Sequence, residues 1–252
     1  MKYTFSNFIV NGLGADFIKV AMVKIYCYRN GIDFYMNELD DWGIAPHKKN
    51  WREFFTSLDM TSDENIPDVT EEILDKIITM PVKFEELSCI CNSLFALQEK
   101  YIQSIPIPLP KKYAVIHIRR GDKTKGLGAE GDHHELKEYY DRIKDDYKES
   151  EVFVMTDSPT VAEEALDRGF IVDSNENRRD GFVYKHYTSS YPDTELADEA
   201  KIFFKNMLVF KEASQLVGSN SSFFYIVGQI MNGRPGVSLS ENNLYGYNII
   251  WK

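Results

Sequence analysis

Short apolar runs of strand length alternate with segments of helical period on both sides of a proline-rich stretch, a pattern that predicts parallel α/β architecture. Residues 3–10 read as a strand, Asn11-Gly12-Leu13-Gly14 as a glycine-rich turn, and 15–29 as a helix with Phe17, Val20, Ala21, Ile25 and Tyr28 on one face. Residues 31–38 supply the next strand and complete a βαβ unit. The pattern from 50 to 103 is mainly helical, with a loop at 61–69 and helical stretches at 71–78 and 84–102. A second alternation follows, with strands at 113–118, 151–156 and 170–173 and helices at 134–147, 160–168, 196–215 and about 222–232. In the long helix Ala200, Phe203, Phe204, Met207 and Leu208 keep the spacing of a buried stripe.

Between the two alternations lies SIPIPLPKK, residues 104–112, which holds three of the chain's nine prolines at alternate positions. Proline there removes helical hydrogen bonds and favours an extended connector. The expected organisation is therefore an N-terminal domain over 1–105 and a C-terminal domain over 106–252, two sheets facing each other across a cleft.

The second alternation opens on YAVIHIRRGDK, residues 113–123, a strand that ends in two arginines, an aspartate and a lysine. On a strand Ala114, Ile116 and Ile118 share one face and Val115, His117 and Arg119 the other. Ligands of parallel α/β sheets bind beyond the carboxyl ends of strands, which is where Arg119, Arg120, Asp122 and Lys123 emerge. Guanidinium forks match phosphate oxygens, so a diphosphate suits the cluster. A solvated charge cluster in which Asp122 pairs with an arginine has the same composition.

The 252 residues carry 29 Lys and Arg against 39 Asp and Glu, a net of 29 minus 39, or −10. An acidic surface disfavours nucleic acid as the main partner, whereas a locally basic pocket suits a small anion. Cys27, Cys89 and Cys91 are too few for a disulfide framework and read as buried free thiols of a reducing compartment. No second Cys/His pair accompanies Cys89 and Cys91 at zinc-ligand spacing. No apolar run reaches the length of a membrane span and the first residues lack a secretory core, so the expectation is a cytoplasmic protein or a soluble catalytic domain.

HIRRGDK resembles the H-x-R-R-x-D-K stretch of the GDP-fucose-dependent fucosyltransferases, the α-1,6 enzymes and, more distantly, the protein O-fucosyltransferases. Three further stretches resemble that family in the same order: GAEGDHHELKEYY at 128–140, VFVMTDSP at 152–159 and EASQLVGSNSSFF at 212–224. The resemblance implies a GT-B-type fold of two Rossmann-like domains, a nucleotide-sugar donor, a glycan acceptor and inverting transfer of fucose. It places Arg119 and Arg120 on the diphosphate, His117 beside the nucleotide and Asp122 as orienter of the arginines. Glu130 falls on the catalytic base and Lys123 on the lysine that supports it. Asp157, Ser158, Ser219, Ser221 and Ser222 fall in the donor pocket, the serines at 221 and 222 opening the last helix. Asn206 stands where the family has an acidic residue that binds the nucleotide. The loop at Asn11, Gly12 and Gly14 is the candidate site of the N-terminal half.

No cofactor or metal is expected, because the diphosphate is held by side-chain cations and no two aspartates lie two apart to make D-x-D. Other readings are a glycosyltransferase with another nucleotide sugar, a noncatalytic sugar-binding module, or an NAD-dependent oxidoreductase. The last draws on GLGAEG at 126–131, which satisfies G-x-G-x-x-G but does not join a strand directly to a helix. His133 and His134 are adjacent and do not share a helical face, which favours a helix-start or packing role over metal ligation. Asn220-Ser221-Ser222 is formally a glycosylation sequon, yet a glycan there would obstruct the proposed phosphate turn.

Overall fold

The computed structural model describes residues 1–5, 13–37, 59–61, 63, 65–94, 109–120, 134–143, 146–173, 205–219, 223–239 and 248–251. These fall into two compact units, one holding the described residues of Met1–Ser104 and Leu244–Lys252, the other those of Ile105–Lys185 and Asp198–Asn243.

The first unit opens with the expected βαβ: strand β1 (Lys2–Phe5), helix α1 (Leu13–Arg29) and strand β2 (Asp33–Asn37), with β1 and β2 parallel. Helix α1 starts at Leu13, so Gly14 belongs to its first turn rather than to a preceding loop. Strand β3 (Met60–Thr61) extends the sheet in parallel beside β2. Helix α1 packs on β2 and also against α2 (Glu71–Thr79) and α3 (Phe84–Leu94), which buries Ile18, Val20, Ala21, Met22, Val23, Ile25 and Cys27. A helix covered on both sides loses its single stripe. Tyr28, expected on that stripe, is instead 78% exposed. Thr70 caps α2, its side chain accepting from the Ile73 amide, and Glu71 and Glu72 in the first turn complement the helix dipole. Arg29 grips Glu86 through Nε and Nη2 at 3.1 and 2.5 Å and donates from Nη1 to the Pro81 carbonyl, tying the end of α1 to α3.

Strand β4 (Val82–Lys83) pairs in parallel with β10 (Ile249–Ile250). The chain's last strand thus lies in the first unit, a correction to the 106–252 domain. Its apolar Ile249 finds cover there, and the Trp251 ring stacks on Phe84 with centroids 4.8 Å apart.

The second unit is a five-stranded parallel sheet, β7-β6-β5-β8-β9, made from β5 (Ala114–Ile118), β6 (Val152–Thr156), β7 (Ile171–Val172), β8 (Gln215–Gly218) and β9 (Val237–Ser238). Numbered within the unit the order is 3-2-1-4-5, the succession of doubly wound nucleotide-binding sheets. Strands buried on both faces read as continuous apolar runs, and all five residues of both β5 and β6 are buried. Ala114, Ile116 and Ile118 share a core with Leu136 and Tyr139 of α4 (Leu136–Tyr140) and with Val161 and Ala165 of α5 (Pro159–Asp167). The other face lies under α6 (205–212) and α7 (Phe223–Asn232), whose Phe210 and Tyr225 are fully buried.

Three expectations change here. Helix 134–147 is regular only over Leu136–Tyr140, after which the Asp141, Arg142 and Ile143 amides close tight turns on Lys137, Tyr139 and Tyr140. The long helix ends at 212, not 215, because the Ser214 amide donates to the Tyr113 carbonyl and Gln215–Gly218 joins the sheet as β8. On α6 the buried residues are Asn206, Met207, Val209 and Phe210, while Leu208 is only half-buried; Ala200, Phe203 and Phe204 lie outside the described residues.

Glycines set how closely α7 approaches. A Cβ at Gly218 would stand 2.5 Å from the Tyr225 ring and one at Gly228 would stand 2.6 Å from Phe210, so both rings occupy space that side chains would fill. The Asn232 side chain closes the arrangement, its Nδ2 donating to the carbonyls of Phe210, Lys211 and Ala213 at the end of α6.

Candidate functional site

In a parallel sheet all strands end on one edge, and along that edge β7, β6, β5 and β8 deliver Asp173, Asp157 with Ser158, Arg119 with Arg120, and Ser219. The strand order reverses about β5, with β6 and β7 on one side and β8 and β9 on the other, so the crevice beside β5 is the topological switch point. Helix α7 follows β8 and therefore begins on the same edge. The arginines of the opening motif stand where such folds hold nucleotides.

Arg120 is the best defined. Its main-chain amide donates to Asp157 Oδ1 at 2.6 Å, joining the ends of β5 and β6. Its guanidinium, 18% exposed, donates from Nη2 to the His134 carbonyl at 2.7 Å and lies 3.5 Å from Glu135 Oε2. Glu135 is 69% exposed, so water weakens that ion pair. Nε and Nη1 have no partner among the described residues, which leaves two nitrogens of a rigid fork for an anion. Burial pushes the Tyr139 hydroxyl up to about 12, with the Arg120 charge acting against it, so Tyr139 stays neutral. Arg119 is half-buried next to it in the chain.

His117 is 6% exposed and packed among Phe210, Phe224 and Tyr225, whose centroids lie 6.1, 5.2 and 6.1 Å away. Burial first and the Arg119 charge second push its pKa down to about 3, so the imidazole is neutral. Its Nδ1 is buried without a partner among the described residues.

Asp157 bridges to Arg120 as just described. Ser158, expected in the donor pocket, is 1% exposed and its hydroxyl accepts from the Val161 amide as the N-cap of α5, with Pro159 at the first helical position. That Ser-Pro pair is a helix-start signature legible in the sequence. Asn206 is 5% exposed on α6, and its Nδ2 donates to Asp173 Oδ2 at 3.4 Å. Ser219 follows β8 at the edge. Asn11, Gly12, Asp122, Lys123, Glu130, Ser221 and Ser222 lie outside the described residues.

Sequence reasoning missed Asp173, Glu135 and the His134 carbonyl. Asp173 had a signal: an acid directly after a buried strand in a parallel sheet. His134, just before α4, sets its Nδ1 3.2 Å from Oε2 of Glu138 in the helix. Among the described residues no three His, Cys, Asp or Glu gather as a metal site, and no helix is long and apolar enough to cross a membrane. Cys27 and Cys91 are buried as expected, but Cys89 is exposed.

The sheet order defines a doubly wound parallel α/β architecture with two arginines at its switch point. No protein-family model matches the chain, and no curated protein sequence matches it. Among solved structures it is similar to NodZ α-1,6-fucosyltransferase soaked with GDP-fucose, with 12% identity and a TM-score of 0.58 over 91% of this chain and 92% of that one. It is similar also to NodZ α-1,6-fucosyltransferase co-crystallised with GDP, with 13% identity and a TM-score of 0.56 over 90% of this chain and 91% of that one. At this identity the likeness shows a shared fold.

Proposed function

We propose that this chain is a glycosyltransferase that moves fucose from GDP-fucose to a hydroxyl of a glycan acceptor with inversion at the anomeric carbon. One observation carries the reading: Arg119 and Arg120 leave the central strand at the switch point of a sheet whose fold is shared with a fucosyltransferase soaked with GDP-fucose. In this reading the half-buried guanidinium fork of Arg120 grips the diphosphate with Arg119, and the start of α7 adds its positive dipole end through Ser221 and Ser222. Asp157 holds the Arg120 main chain, and Asn206 and His117 border the base. Glu130 takes the proton of the acceptor hydroxyl as that oxygen attacks opposite GDP, with Lys123 supporting the carboxylate and Asp122 orienting the arginines. The C1–O bond to the diphosphate breaks, GDP leaves with the electron pair, and the new glycosidic bond forms. The cations, rather than a metal, stabilise the departing charge. Two Rossmann-like domains of the GT-B type, the second centred on β5, complete the proposal.

A thermal-shift panel of GDP, UDP, GDP-fucose, UDP-xylose and NAD tests it. A ligand at a hundred times its Kd stabilises the folded state by about 2.7 kcal/mol. The expected result is a rise in melting temperature with GDP and GDP-fucose alone, and transfer activity that survives EDTA. Glu130→Gln should keep GDP binding and lose roughly 10²- to 10⁴-fold in turnover. A response to NAD alone, or to UDP sugars alone, overturns the reading.

A further inference from the structure

Asn206 Oδ1 is buried and has no hydrogen-bond partner among the described residues. Buried acceptors in native structures are almost always satisfied, so this atom calls for a partner that the described residues do not supply. Its surroundings define what that partner must be. Helix α6 precedes β8 and runs against the strands, so its first described turn, with Asn206, lies at the edge where Arg119 and Arg120 emerge. There Nδ2 donates to Oδ2 of Asp173, which follows β7 and is itself 5% exposed. The contact fixes the amide, because the flipped group would set oxygen against a carboxylate. Oδ1 is therefore held on the side away from Asp173 as an acceptor, polarised by the carboxylate behind the amide. One turn further along α6, Phe210 packs against His117, so an aromatic wall and an acceptor share one helix.

We propose that Asp173 is a positioning residue for base selection: it locks the Asn206 amide so that Oδ1 accepts from the exocyclic amino group on the edge of a guanine-type base. Such an edge offers a ring N–H beside an exocyclic amino group. A uracil edge offers one N–H flanked by two carbonyl oxygens, which would face the acceptor and the Asp173 charge. The proposal rests on the nucleotide-sugar reading above and adds a specificity determinant to it.

The test is titration calorimetry of the full chain with GDP, with IDP, which lacks the exocyclic amino group, and with UDP. The wild type should favour GDP over IDP roughly tenfold, as expected for one lost hydrogen bond to a polarised acceptor. Asp173→Asn frees the amide to present either group, and the GDP/IDP ratio should fall to within about threefold, as for a neutral, unfixed contact. Asn206→Ser, a smaller change at the other end of the pair, should give the same collapse, so the outcome does not hang on one variant folding. Arg120→Lys should weaken GDP and IDP together and leave the ratio unchanged. If either pair variant keeps the wild-type ratio while GDP still binds, the inference is overturned and the nucleotide-sugar reading stands. If the wild type does not bind GDP, both fall.

Discussion

His117 should make this fold acid-sensitive in a predictable window. Its imidazole is buried among Phe210, Phe224 and Tyr225 and lowered to about 3, whereas an unfolded histidine titrates near 6.5. Above about pH 6.5 both states hold it neutral and it contributes no pH dependence. Between that value and the folded one, only the unfolded chain takes up the proton, so stability falls by up to about 1.4 kcal/mol per pH unit. From about pH 7.5 to about pH 5 the loss integrates to about 2 kcal/mol. Urea unfolding followed by circular dichroism at those two values measures the total, which includes every other group. Subtracting the same difference for His117→Gln isolates the imidazole, since glutamine keeps polar atoms but does not titrate. The wild type should lose about 2 kcal/mol more than the variant. Equal losses would refute the neutral, buried state assigned to His117.

Removing the carboxylate in Asp157→Ala deletes the 2.6 Å bond to the Arg120 amide and should cost about 1.5 kcal/mol, a fall of about 3–6 °C in melting temperature by calorimetry, together with weaker GDP binding. Glu135→Gln should change GDP affinity less than about fivefold, because the exposed ion pair is worth at most about 1 kcal/mol, whereas Arg120→Ala should cost well over tenfold in the same titration. Gly218→Ala drives a methyl toward the Tyr225 ring and should destabilise by about 1–3 kcal/mol in urea unfolding, with the m-value unchanged.

The alternation of strands and helices was legible because buried parallel strands write continuous apolar runs, and YAVIHI and VFVMT appear as β5 and β6 within a residue. Short apolar segments were not. Gln215–Gly218 continues a helical pattern without a break, and only the hydrogen bonds it makes beside β5 turn it into a strand. The two-residue strands β4, β9 and β10 carry no periodicity at all. At the site, the ends of β5 and β6 were readable as Arg119, Arg120 and Asp157. The pairing of Asn206 with Asp173 was not, because it joins residues 33 apart that only the crossover from β7 to β8 brings together. Ser158 carries two readings in the letters: the structure shows its helix-capping role, beside the Asp157 that the resemblance places with it in the donor pocket.

The return of β10 to β4 brings the last strand back to the unit that holds the first. Pull the chain by Lys2 and Trp251, and tension reaches the two-residue β4–β10 ladder and the Trp251–Phe84 stack before it reaches the sheet around β5. The sheet around β5 is thus mechanically shielded, and these few contacts act as the fuse that opens first.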